Sequence, residues 1–340
     1  MEFSTAARAA LHLTGSDVGK RVSVRRLAEE GGAGAKFTDT VGVLTSWDDG
    51  VLLITRRNGE RVRIEESALV AGKVVPDAPA RRRGPAATCP ELSRVSARAW
   101  PPVESEPLGE WVLRASSGFT RRANSVLPLG DPGRDLDEAL EAVRAWYAAR
   151  GLPAYVQAAT GAQGADELLC AALEDRGWVR EVTAELWIGG LAAVADAVDP
   201  AGAGRGAPAP VEFSRHTSES WLARYRRKGV SEVARRVLEG GPSVWFATVP
   251  GADGEPPAAI GRCVVDGRWA GFAAVEVAPE RRREGLATRV MAALAGKAME
   301  EGASAGWLQV ETDNTGARRL YDALGFTAHH AYHHYRSPEA

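Results

Sequence analysis

The chain has 340 residues, 45% of them hydrophobic and 25% charged, with a formal net charge of −2. That length implies two or three domains of ordinary soluble composition, and the near-neutral charge gives no electrostatic reason to expect nucleic acid or an anionic membrane as partner. Three widely spaced cysteines, Cys89, Cys170 and Cys263, argue against a zinc site or a disulfide framework; with no signal-peptide core near the start and no apolar run of about 20 residues, a cytoplasmic location is expected.

Two stretches rich in Pro, Gly and Ala, 76–90 and 196–210, carry no apolar period and read as linkers. Ahead of the first, residues 14–75 hold the β-rich runs Val18–Arg26, Thr40–Trp47, Val51–Thr55 and Arg61–Ile64. The turn signals Asp48-Asp49-Gly50 and Asn58-Gly59 separate them. A small antiparallel barrel is expected, similar in order and length to an SH3-like barrel. It would either dock a peptide or nucleic acid or serve as a packing or dimerisation appendage. Packing is favoured, because Arg21, Arg25 and Arg26 are balanced by Glu29, Glu30, Asp39, Asp48 and Asp49.

Residues 91–195 and 211–338 read as two copies of one unit. With Pro128 placed on Pro279, Gly151 falls on Gly302. One residue later in phase, Tyr155–Thr160 matches Trp307–Thr312, and Gly164-Ala165 matches Gly316-Ala317. Each copy reads strand, helix (136–150 and 285–301), strand, helix (164–176 and 315–324), strand. The predicted class is α/β (α+β): tandem mixed sheets with flanking helices, preceded by the small barrel.

In the second copy a strand, Ala270–Val277, leads into Arg282-x-x-Gly285-x-Ala287, and apolar residues at helical spacing follow. So short a motif is weak in a chain rich in Arg, Gly and Ala. Its position between strand and helix gives it meaning, because first-turn N–H groups lack partners and carry the positive end of the helix dipole. Gly285 and Ala287 are small enough to let a pyrophosphate approach the backbone, and Arg282 and Arg283 add charged donors. Further on, a strand ending at Glu311 leads into a helix that opens near Asn314 and runs into Leu320-Tyr321-x-x-Leu324-Gly325-Phe326. Asn314 and Tyr321 share a helix face with Ala317 between them.

Together these segments resemble the GNAT (GCN5-related) N-acetyltransferase family. The resemblance implies acetyl-CoA as cosubstrate, with its pyrophosphate on Arg282, Arg283, Glu284, Gly285, Leu286, Ala287 and Thr288. It implies that Asn314, beside Ala317, binds the pantetheine arm and that Tyr321 protonates the departing thiolate. The backbone of Val275 and Val277 would meet the acetyl group where that strand splays from Trp307–Glu311. The three-part layout is similar to actinobacterial proteins that join an SH3-like barrel to tandem GNAT units, some assigned as N-acetylglutamate synthases. The implied reaction is acetyl transfer to a primary amine by direct attack, the α-amine of an amino acid such as L-glutamate being one candidate. The other readings are a protein lysine or N-terminus recruited through the barrel, and a non-catalytic acyl-CoA sensor. Tyr321 counts against the sensor, since binding alone needs no proton donor.

An amine with a pKa near 10.4 is neutral only about once in 2,500 molecules at pH 7, so a base is required. Glu276 and Glu311 are the candidates, and each is equally readable as an exposed strand glutamate. His329, His330, His333 and His334 stand in HH-x-x-HH spacing; a solvent- or substrate-facing strand edge is preferred over a metal site, and no metal is expected. In the first copy Asp131, Arg134 and Leu136 replace Arg282, Gly285 and Ala287, while Ala162 and Leu169 replace Asn314 and Tyr321. That copy is expected to be a degenerate unit without a CoA site. Its polar segment 118–125 carries Arg121 and Arg122, which read either as an ordinary surface loop, the favoured reading, or as candidates for binding a substrate carboxylate. Nothing in the sequence bears on oligomeric state.

Overall fold

The computed structural model describes residues 11–27, 37–75, 85–197, 210–225 and 231–338. Most of both expected linkers, 76–84 and 198–209, lies outside these. The first linker ends earlier than its composition suggests, because Thr88 caps a helix (α1, Cys89–Ala99) by accepting from Glu91 N at 3.2 Å. No helix among the described residues is long and apolar enough to cross a membrane.

The N-terminal region is a six-stranded sheet of β1 (Leu11–His12), β2 (Arg21–Leu27), β3 (Phe37–Asp48), β4 (Val51–Thr55), β5 (Arg61–Glu65) and β6 (Leu69–Val74), in the order β1-β6-β2-β3-β4-β5. Alternation drives it: Val22, Val24, Leu44, Leu52, Ile54 and Ile64 point into one core. Asp49 (φ 50°) and Gly50 (φ 73°) form a two-residue turn whose left-handed conformation suits the strand twist. Two findings differ from expectation. Residues Val18–Lys20 are a turn rather than strand, and β1 pairs in parallel with β6, a strand that apolar alternation did not reveal.

The middle region contributes β7 (Glu104–Leu108), β8 (Trp111–Ala115), β9 (Leu127–Pro128), α2 (Leu136–Ala148), β10 (Tyr155–Thr160), α3 (Glu167–Asp175), β11 (Val179–Gly190) and α4 (Leu191–Ala195). The last region contributes β12 (Glu212–Ser214), α5 (Glu219–Arg224), α6 (Glu232–Glu239), β13 (Ser243–Val249), β14 (Ala259–Asp266), β15 (Trp269–Val277), α7 (Leu286–Glu300), β16 (Ala305–Glu311), α8 (Thr315–Ala323) and β17 (Thr327–Arg336). Strands β7–β9 form a small sheet of their own, and the rest join one eight-stranded sheet ordered β10-β17-β11-β16-β15-β14-β13-β12.

That order corrects the picture of two self-contained copies. The final strand, β17, lies between β10 and β11 of the first copy, pairing antiparallel with both. Reciprocally, β11 lies between β16 and β17 of the second copy. Each unit's last strand completes the other's sheet. Apolar side chains on the two faces feed separate cores. On one face Phe272, Cys263 and Leu308 pack under Val290, Met291, Leu294 and Ala298 of α7. On the other, Ile260, Trp307, Leu186 and Ile188 pack against Leu92 of α1, Trp221 of α5 and Val237 of α6.

The N-terminal sheet is fastened to this body through its β4–β5 turn. Arg57 donates to the carbonyls of Ala328 and His329 (both 2.8 Å), Arg180 donates to the Gly59 carbonyl (2.6 Å), and Arg61 pairs with Asp175 (2.9 Å).

Candidate active site

Strands β15 and β16 run parallel and pair only from Trp269↔Ala305 to Phe272↔Leu308. Beyond Phe272 they part. The cause lies on the other edge of β15, where the register with β14 slips between Ile260 and Arg262 and Ala274 takes φ 53°. An extra residue of this kind bends a strand and increases its twist. Val275 and Val277 therefore stand past the point of separation, with no ladder partner on the β16 side.

The same strand feeds α7 through a tight turn. Arg283 (φ 64°) and Gly285 (φ 76°) are both left-handed, and Gly285 caps α7 without any side-chain hydrogen bond. The first-turn N–H groups of α7 are thus not satisfied by a capping side chain, and no acidic residue stands in that turn. Arg281 neutralises Glu284 at 2.8 Å, while Arg282 and Arg283 are exposed and make no ion pair among the described residues. Such a terminus is suited to phosphate oxygens.

At the N-terminus of α8, Asn314 Oδ1 accepts from Ala317 N at 3.1 Å, which leaves the side-chain NH₂ uncommitted among the described residues. Tyr321 is seated edge-on to Phe326 (centroids 6.3 Å apart) and packs on the same core as Val275 and Val277. Burial pushes its hydroxyl up to about 12, so it stays protonated at neutral pH.

A cavity of about 260 Å³ is lined by Asn314, Ala317 and Tyr321 around the start of α8, by Gln309, Val310 and Glu311 at the end of β16, and by Arg121, Arg122, Tyr332 and His334. Side chains from both halves of the chain meet here. Arg122 donates to Gln309 Oε1 and lies 4.7 Å from the Trp100 ring centroid. Arg121 reaches Glu181 at 3.3 Å. Asn124 holds the segment carrying both arginines. It accepts from Ser116 N and Gly118 N and donates to the Phe119 and Thr120 carbonyls, using its full hydrogen-bonding capacity.

The glutamates differ in placement. Glu311 is exposed at the cavity rim. Glu276, half-buried on β15 opposite Ile260, does not line the cavity.

The histidine run is not a strand edge, and this corrects the expectation for it. Strand β17 has a neighbour on each side, so His330, His333 and His334 are buried. His333 is held between Thr160 Oγ1 (3.0 Å) and Thr183 Oγ1 (2.9 Å), and His329 lies against His330 (2.8 Å) and the Ala87 carbonyl (3.0 Å). Among the described residues no group of three or more His, Cys, Asp or Glu side chains converges as a metal site would require. His334, Tyr332 and Gln309 were not singled out as cavity residues, since only the strand exchange brings them to Arg122.

The family model described as "Probable histone acetyltransferase Rv0428c C-terminal" matches residues 87–335. The chain is 29% identical to "Probable histone acetyltransferase Rv0428c" of Mycobacterium tuberculosis (strain ATCC 25618 / H37Rv), covering 92% of this chain and 93% of that protein. It is also 29% identical to "Uncharacterized N-acetyltransferase YobR" of Bacillus subtilis (strain 168), covering 72% of this chain and 97% of that one. Among solved structures, a GCN5-related N-acetyltransferase from Kribbella flavida shares the fold with TM-score 0.53 at 19% identity, over 75% of this chain and 98% of that chain.

Proposed function

Since the chain belongs to the family described as "Probable histone acetyltransferase Rv0428c C-terminal" and is a GNAT-type N-acetyltransferase, we propose that it moves an acetyl group from acetyl-CoA directly to a primary amine on a small acceptor that also bears a carboxylate, such as L-glutamate. The observation that carries this reading is that Tyr321 lines the same cavity as Arg121 and Arg122. A protonated hydroxyl suits a departing thiolate, and guanidinium groups suit a carboxylate.

The uncapped α7 terminus with Arg282 and Arg283 would hold the pyrophosphate, and Asn314 the pantetheine arm. Bound there, acetyl-CoA supplies the acyl group. Unladdered backbone past Phe272 on β15 can polarise a carbonyl. Only the second copy is suited to this. In the first, Asp135 already caps α2, accepting from Asp137 N at 2.8 Å, and Asp137 and Glu138 occupy its first turn. Those carboxylates repel phosphate. The N-terminal sheet acts as a brace through Arg57, Gly59 and Arg61 rather than as a recruiting surface.

Thiol release from acetyl-CoA across a panel of amino acids, polyamines, aminoglycosides and peptides tests the proposal. Turnover with L-glutamate or another carboxylate-bearing amine is expected. Equal rates for acceptors with and without a carboxylate remove it. A second reading, acetylation of a protein lysine, is favoured by the word "histone" in the name of the mycobacterial relative. A histone-tail peptide in the same panel separates the two.

A further inference from the structure

Arg121 and Arg122 are neighbours in the chain, yet their charges are met differently. Arg121 is exposed and pairs with Glu181 at 3.3 Å, a carboxylate that also accepts from the Tyr155 hydroxyl at 2.8 Å. Arg122 is half-buried and makes no ion pair among the described residues. One of its nitrogens donates to the neutral Gln309 Oε1, and its guanidinium lies 4.7 Å from the Trp100 ring centroid. An aromatic ring attracts a cation without consuming its N–H donors. Arg122 is therefore held in place by neutral groups, with charge and donors left over at the cavity wall.

Trp100 is itself fixed on several sides. It is 5% exposed, donates from Nε1 to Thr120 Oγ1 at 3.0 Å, and stacks with Phe119 (centroids 6.3 Å apart, planes 15° apart). A second guanidinium, that of the buried Arg262, lies 4.9 Å from the same ring centroid. Arg262 donates to the carbonyls of Ala99 (2.9 Å), Leu238 (2.5 Å) and Gly240 (2.7 Å). These carbonyls stand at the C-terminal ends of α1 and α6, where the helix offers them no partner and a cation is favoured. Arg262 thus ties one helix from each half of the chain to a single indole. It too makes no ion pair among the described residues, so two cations share the ring and repel each other. An anion arriving at Arg122 offsets that repulsion.

We infer that Arg122, rather than Arg121, takes the carboxylate of the acceptor, and that Trp100, fixed by Arg262, is the positioning residue that holds the Arg122 guanidinium at the cavity. The inference rests on the carboxylate-bearing acceptor described above and names the group that selects it.

The test is calorimetric titration of the full chain, with CoA present, by glutarate, a dicarboxylate that has no amine and reports binding apart from turnover. Arg122→Gln should weaken glutarate by about 10-fold or more, and Arg121→Gln much less. Trp100→Leu should weaken it by about 10-fold, as expected for a desolvated cation–π contact. In a protein already carrying Arg122→Gln, the Trp100 substitution should have no further effect. Trp100→Phe, which keeps a ring, should recover most of the loss, and CoA affinity should stay constant throughout. If Trp100→Leu does not fold, Arg262→Lys takes its place in the cycle, since a lysine keeps the charge but cannot span the three carbonyls. A Trp100 effect of equal size with and without Arg122 overturns the inference, because a general loss of packing acts in both backgrounds. So does a greater loss in Arg121→Gln than in Arg122→Gln, or glutarate that does not bind at all. If L-glutamate is turned over with a KM indifferent to Arg122→Gln and Trp100→Leu, the inference falls and the proposed function stands. Glutarate binding with the expected pattern, in a protein that turns over no carboxylate-bearing amine, upholds the anion site and removes the acceptor reading instead.

Discussion

Tyr321 on α8 and His334 on β17 border the same cavity while belonging to opposite faces of the sheet. Tyr321 packs on the core that lies under α7, whereas His334 lies on the face of Tyr332 and Gln309. Glu311, at the end of β16, lines that cavity too. On the proposed function, the proton donor and the groups that meet the acceptor thus stand on opposite faces of the sheet and share one cavity.

Tyr321→Phe removes the hydroxyl and keeps the ring against Phe326. Turnover should fall by about 100-fold, the lower range for losing a positioned proton donor, with CoA affinity unchanged in a calorimetric titration. Because burial raises that hydroxyl to about 12, wild-type turnover should show no alkaline limb belonging to Tyr321 at moderately basic pH. A wild-type rate in the variant would contradict the role.

Arg122→Gln should raise the KM for a carboxylate-bearing acceptor by about 10- to 100-fold. That is the equivalent of the roughly 1.5–3 kcal/mol of a hydrogen bond to a charged group. The KM for acetyl-CoA should not move. If both KM values rise together, Arg122 supports the cavity wall rather than the acceptor.

Gly285 stands at φ 76° just before the first turn of α7. In Gly285→Val a side chain is forced into that left-handed conformation, at about 1–2 kcal/mol, and stands where phosphate oxygens would approach. CoA should bind more weakly, with a modest fall in Tm. Undiminished CoA affinity would separate this terminus from the cofactor.

His330 and His333 are held down to about 3 by burial. Their unfolded-state value is near 6.5, so below it the unfolded chain binds more protons than the folded one. Their contribution to stability is complete above 6.5 and is lost progressively as pH falls toward 3. Urea midpoints should therefore drop across that window, and less steeply in His333→Gln. Parallel curves for wild type and variant would show that other groups control acid unfolding.

Much of the candidate site's local structure was legible in the sequence. Arg282, Gly285, Asn314 and Tyr321 stand in short segments whose helix starts can be read from small residues and caps, and the structure places them at the N-termini and faces of α7 and α8. What could not be read was pairing at a distance. The repeat predicts a closing strand after Phe326 but not which strands flank it, and so the histidine run looked like a strand edge and Arg122 belonged to a different unit. The bulge at Ala274 was equally hidden, because the residue there is not a glycine and its left-handed φ is imposed by the strand around it.

The exchange of β11 and β17 also sets the order in which the molecule can be assembled. During synthesis the middle region emerges long before Thr327–Arg336, and until that segment follows, β10 has no strand beside it in the large sheet. Neither half can be finished alone on the ribosome. Cutting the chain between the halves would leave each with an open seam in its sheet, so the two should survive as separate pieces only when made together and allowed to trade strands.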